Sequence, residues 1–164
     1  MTRLADAIEQ LEFTRRYTRE RILAVPFGQW FTVPAGALST VAWQVGHIAM
    51  AEYRLCLERL RPRCDADEAL IANTFLVKFG RGSDPITITG YSAEEIFEVF
   101  NRVHEQTIAE LSNYPDSELD LPPLKPHPLF STRIAGLRYA PLHEMIHCGQ
   151  IALLRRMLGH QPLW

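Results

Sequence analysis

Four stretches of the chain repeat apolar residues at the three- and four-residue steps of a helix face. The first, from Thr2 to Leu23, sets Leu4, Ile8 and Leu11 on one side, and Pro26 and Gly28 close it. The second runs from Thr40 to Leu60, with Ser39 as its N-cap and Pro62 as its stop. The third opens on Ser92-Ala93-Glu94-Glu95, a capping box in which hydroxyl and carboxylate each satisfy a free backbone N–H. It continues through Ile96, Phe97, Phe100, Val103, Ile108 and Leu111 and ends before Tyr114-Pro115. The fourth begins near Ser131 or Thr132 and runs to Leu158, where Gly159 closes it and Arg155 and Arg156 suit its negative end. Pro141 falls inside this last pattern, either in a first turn or at a kink.

Between the helices lie two long connections. Residues 62–91 hold a short helical pattern from Asp67 to Phe79, followed by Gly80, Gly82, Ser83, Asp84 and Pro85. Residues 114–131 carry five of the eleven prolines and read as an extended loop. Ile86-Thr87-Ile88-Thr89 alternates like a strand, but one strand of this length sustains no sheet. The expected fold is therefore all-α, a four-helix bundle with a long crossover between the second and third helices. A single domain over residues 1–164 fits the length. Within the second helix, Val41 to Ala51 is apolar almost all round, so it is covered on more than one side, by the long loops or by a second copy of the chain.

Composition narrows the function classes. Lys+Arg number 17 against 19 Asp+Glu, a net charge of −2, which speaks against a general nucleic-acid binder. No window approaches the apolar length of a membrane span, and the acid-dotted start lacks the apolar core of a secretory signal. Cys56, Cys64 and Cys148 are too few for a disulfide framework, and Cys56 and Cys148 read as packing. The expectation is a cytoplasmic protein acting on a small molecule, without nucleic-acid or membrane partners.

The sharpest chemical signal is His143-Glu144-Met145-Ile146-His147. Two histidines four residues apart share a helix face and can hold one divalent ion. With Glu144 the string is also the H-E-x-x-H of zinc proteases, where the Glu is the general base. A protease would need a third ligand downstream, yet Gln150 and Leu153 stand where the extended signature has Gly and His, and no acid follows Glu144. Upstream, His47 sits in the most apolar helix. Three imidazoles buried together without an ion would leave costly unpaired polar groups. Trp43, one turn before His47, either walls such a site or belongs to the core. His104 lies on the third helix's apolar stripe, as a hydrogen-bonded core residue or a fourth ligand. Glu52 turns away from His47 and suits a structural pair. Arg15, Arg16, Arg19 and Arg21 form a basic patch late in the first helix, suited to the helix end or to an anion.

Trp43-x-x-x-His47 with Glu52, followed by His143-Glu-x-x-His147-x-Gly149-Gln150-Ile151 and Leu154-Arg155-Arg156-x-Leu158-Gly159, resembles the DinB-like superfamily of small four-helix metalloproteins. The resemblance implies a bundle, often dimeric, with one divalent metal held by His47, His143 and His147. Some relatives are bacillithiol S-transferases or mycothiol-dependent isomerases. It thus implies a thiol S-transferase or related detoxification enzyme, in which a metal-bound thiolate or hydroxide attacks an electrophile. A low-molecular-weight thiol would be cosubstrate, with Glu144 as general base or as an anion orienting an imidazole. Zinc is the default ion, with nickel or iron as alternatives. The second reading is a non-catalytic bundle whose ion clamps the second and fourth helices; the third is the metalloprotease.

Overall fold

The computed structural model describes residues 2–163. The helical patterns become six α-helices: α1 (Arg3–Leu23), α2 (Val41–Glu52), α3 (Ala66–Leu70), α4 (Asn73–Lys78), α5 (Ala93–Leu111) and α6 (Arg133–Met157). The four longest form a closed ring in which α1 packs on α6, α6 on α2, α2 on α5 and α5 on α1. The crossover between α2 and α5 carries α3 and α4, two short helices where the sequence pattern suggested one. Among the described residues there is no strand. The extended loop before α6 contributes only an isolated bridge between His127 and Phe130.

Local chemistry sets the helix ends. The capping box forms as expected, with Ser92 Oγ accepting from the Glu95 N–H and the Glu95 carboxylate accepting from the Ser92 N–H. At α2 the cap is Thr40 rather than Ser39, because Thr40 Oγ1 accepts from the Trp43 N–H at 3.2 Å. Ser39 Oγ instead accepts from Gln44 Nε2 at 2.9 Å. Thr132 caps α6, which places Pro141 well inside that helix and removes the first-turn reading. The second helix also does not run on as a regular helix to Leu60. After Glu52 it widens into a π turn over Tyr53–Leu57, closed by Glu58 N–H donating to the Tyr53 carbonyl at 3.0 Å.

All of α2 except Trp43 is buried. Its cover comes from α5, α6 and α4 of the same chain, so its all-round apolar character needs no second copy. The basic patch expected on α1 is only half a surface feature, with Arg16 and Arg19 exposed and Arg15 and Arg21 buried. Arg15 lies on the buried stripe with Leu4, Leu11 and Thr18, and Arg21 folds over the Tyr17 ring at 3.2 Å. The Arg15 guanidinium donates to Glu52 at 2.5 Å, to Glu144 at 2.9 Å and to the Phe100 carbonyl at 2.9 Å. His104 Nδ1 meets the other Glu52 oxygen at 2.8 Å. This buried network joins α1, α2, α5 and α6 and fixes how α2 and α6 are rotated about their axes. Glu52 thus makes the structural pair expected of it.

Candidate metal centre

Rotated in this way, α2 and α6 turn three imidazoles toward each other. Ring centroids are 4.5 Å apart for His47 and His147, 4.6 Å for His143 and His147, and 5.3 Å for His47 and His143. One nitrogen from each can be chosen so that all three lie within 4.8 Å of one another, close enough to share an ion. Among the described residues no fourth His, Cys, Asp or Glu joins the group. His104 stays with Glu52, away from it.

Two of the rings are held by their far nitrogens. His47 Nδ1–H donates to the Phe79 carbonyl at 2.8 Å, and His147 Nδ1–H donates to Gln44 Oε1 at 2.6 Å. An acceptor on Nδ1 fixes the tautomer and leaves the Nε2 lone pair free, the arrangement found behind metal-bound histidines. The Phe79 carbonyl is available because Phe79 is the C-cap of α4, where helical carbonyls lack partners. Gly46 makes the approach possible. A Cβ there would stand 2.3 Å from Phe79 Cδ1, so only glycine lets the ring lie against α2. Trp43 stacks on His47 at 4.5 Å and 17°, and its Nε1–H donates to Ser83 Oγ at 2.9 Å. The tryptophan therefore walls the site and pins the loop beyond α4.

Burial holds all three imidazoles below the ordinary histidine range. His143 falls to about 4, with His47 adding to the effect of burial. His147 falls to about 3, with both neighbouring rings adding, and His47 is lowered as well. Near neutral pH the cluster is thus uncharged and presents lone pairs, as a cation requires. The residues present fit a divalent metal ion, and their chemistry is that of an imidazole-only site with places left for water or substrate. His47 and His143 face a groove of about 540 Å³, shared with Tyr139.

Glu144 is not brought to the imidazoles. It is buried on another side of α6, and its carboxylate accepts from Arg15. Burial pushes its proton affinity up, Arg15 pulls it down, and Glu52 beside it pushes up again. Gln150, on the same stripe as the histidine pair, is exposed. Two supporting groups escaped the sequence reading. Gln44 was within reach of it, being the one side chain between Val41 and Ala51, besides His47 itself, with a strong hydrogen-bond acceptor, one turn from that ligand. The Phe79 carbonyl, a backbone group at the end of α4, leaves no such trace.

Fold and site together define a helical bundle with a three-histidine centre between two of its long helices. The DinB superfamily model matches residues 10–151, and the chain belongs to that superfamily. No curated protein matches it.

Proposed function

We propose that the protein binds one divalent metal ion through His47, His143 and His147 and catalyses transfer of an electrophilic group to the sulfur of a small thiol. The observation that supports this is the open face of the cluster. Two of the three neutral imidazoles, His47 and His143, line a groove, and no fourth protein ligand closes the site among the described residues. A structural clamp would need that fourth place filled, and His104 is engaged elsewhere. A divalent ion among neutral ligands keeps its double charge and supplies the acidity that deprotonates a coordinated thiol or water. The chain's own part is positional: Phe79 and Gln44 hold two rings, and Trp43 shields His47 from water.

Zinc suits this ligand set, with nickel and iron as alternatives. The protease reading would need Glu144 beside the metal, whereas its carboxylate faces Arg15; we assign it a positioning role in the buried network. The protein works in the cytoplasm as a homodimer, joined through the α1–α6 face where Phe13, Leu142, Met145 and Ile146 stand exposed.

Metal content by mass spectrometry on tag-free protein, beside His47→Ala and His147→Ala, tests the central claim. We expect about one metal per chain in the wild type and its loss in both variants. A wild-type protein that stays metal-free after reconstitution overturns the proposal.

A further inference from the structure

The groove beside the imidazoles is lined by Arg54, Arg59 and Arg81, with no acidic side chain among its described lining residues. Elsewhere three inward-turned arginines are matched with carboxylates, while the buried Arg155 donates to the Ala24 and Gln161 carbonyls. Arg15 holds Glu52 and Glu144, Arg61 holds Asp67 and Glu110, and Arg133 holds Glu118. Among the described residues, Arg54, Arg59 and Arg81 make no ion pair at all. Glu58, next in the chain to Arg59, is taken by Lys125 at 2.6 Å.

The π turn explains why arginine rather than glutamate faces the groove. His47 and Ala51 on α2 and Arg54 and Leu55 in the π turn line the groove, on a stripe that a regular helix would continue to Glu58. The wider turn over Tyr53–Leu57 inserts one residue, so that Arg59 takes the place on the stripe and Glu58 turns toward Lys125. Such turns occur mostly as single insertions in helices, often at functional sites. Arg59 Nη1 donates back to the Arg54 carbonyl at 2.9 Å, while its Nε is buried without a partner among the described residues. Arg81 arrives from the loop after α4. That loop is fixed by Ser83 Oγ, which donates to the Gly80 carbonyl at 2.8 Å and accepts from Trp43. The residue that stacks on His47 thus also sets the place of Arg81.

Three like charges held around one groove repel one another until an anion joins them. Guanidinium groups match carboxylate and phosphate oxygens two at a time. We infer that this groove is an anion-recognition subsite, in which a small molecule seats a carboxylate or phosphate group on Arg54, Arg59 and Arg81 and presents its reacting end to the imidazoles. The inference rests on the reading of the three histidines as an open metal centre and narrows the thiol to an anionic one. The groove volume, about 540 Å³, suits a small molecule.

The test uses the full chain in two forms. Cobalt-substituted protein is titrated with mercaptosuccinate and with uncharged thioglycerol, read by sulfur-to-cobalt charge-transfer absorption. Metal-free protein is titrated with succinate and with inorganic phosphate by calorimetry. We expect mercaptosuccinate to bind about tenfold or more tighter than thioglycerol, with the preference shrinking at high salt and in Arg54→Gln and Arg81→Gln. Cobalt content should stay unchanged in both variants. Arg81 is exposed on a loop, so its variant keeps the fold and bears most weight. Equal affinity for the two thiols at full cobalt occupancy overturns the subsite and leaves the metal centre standing. Failure to take up cobalt overturns the metal centre instead. In that case the metal-free arm decides: succinate or phosphate binding that disappears in the arginine variants supports the subsite and says which anion it takes, and no binding of either overturns it.

Discussion

Gly46 is the residue on which the His47 tether depends. A methyl group there meets the Phe79 ring at a distance that no packing accommodates, so Gly46→Ala must displace the ring and with it the Phe79 carbonyl. The expected cost is about 1–3 kcal/mol, as for other overpacked cores, together with weaker metal binding. Thermal melting and a competitive metal titration check both, and wild-type metal affinity would show that the tether is dispensable. Gln44→Ala should cost about 10- to 100-fold in metal affinity with little effect on folding, as for other groups that orient a metal-bound histidine. Glu144→Gln separates two roles for that side chain. The amide keeps an acceptor for Arg15 and relieves the crowding of two carboxylates on one guanidinium. Stability is therefore expected to hold or rise, with metal content and thiol binding unchanged. A turnover lost while both bindings persist would restore the general-base role.

At the scale of elements, α3 is too short to stand alone and is held by its charges. Asp67 accepts two hydrogen bonds from Arg61, at 2.7 and 2.8 Å, while Arg61 also grips Glu110 on α5. Arg61 holds the Asp67 carboxyl down at about 2, against an ordinary 3.8. Because the folded value lies below the unfolded one, the stabilisation is complete above about pH 4 and is lost as pH falls toward 2. It amounts to about 2 kcal/mol, since Asp67 is buried. Urea unfolding across that window should show the loss in the wild type. Asp67→Asn should be weaker at neutral pH and flatter in acid, and parallel profiles for the two proteins would refute the linkage. The π turn at the end of α2 matters in the same way, because a local change of helical pitch decides which side chains reach the groove.

For the whole molecule, the face between α1 and α6 is the least finished. Leu142 and Ile146 lie one turn apart on α6, each more than half exposed, and Phe13 on α1 lines one surface hollow with Leu142 and Met145. A homodimer through this face predicts that light scattering finds two chains per particle in the wild type and one in Leu142→Glu/Ile146→Glu. The double variant should keep its metal, because the histidine cluster lies against α2 on another side of α6. A wild-type monomer at working concentrations would remove the assembly and leave the metal reading untouched. Among the described residues no helix is long and apolar enough to cross a membrane, so that face is not part of a membrane span.

The features determined by sequence alone are those written at short range. Caps, stops and the three- and four-residue steps located α1, α5 and α6 closely, and the i, i+4 spacing of His143 and His147 set them on one face before any packing was known. His47 was recoverable because an imidazole in so apolar a helix asks for a reason. Tertiary structure decided whatever depends on residues far apart in the chain. Arg15 resembled a helix-end cation until its place on a buried stripe brought it to Glu52 and Glu144. Glu144 sits inside a protease-like string, yet Arg15, arriving from α1, holds its carboxylate in the buried network away from the imidazoles. The Phe79 carbonyl is a backbone group that no side-chain pattern marks, Arg81 comes from a loop with no period to read, and the π turn that swaps Arg59 for Glu58 departs from the regular helix on which pattern reading depends. Local periodicity is a property of the chain's own steps; which groups meet across the bundle is set by how four helices share one core.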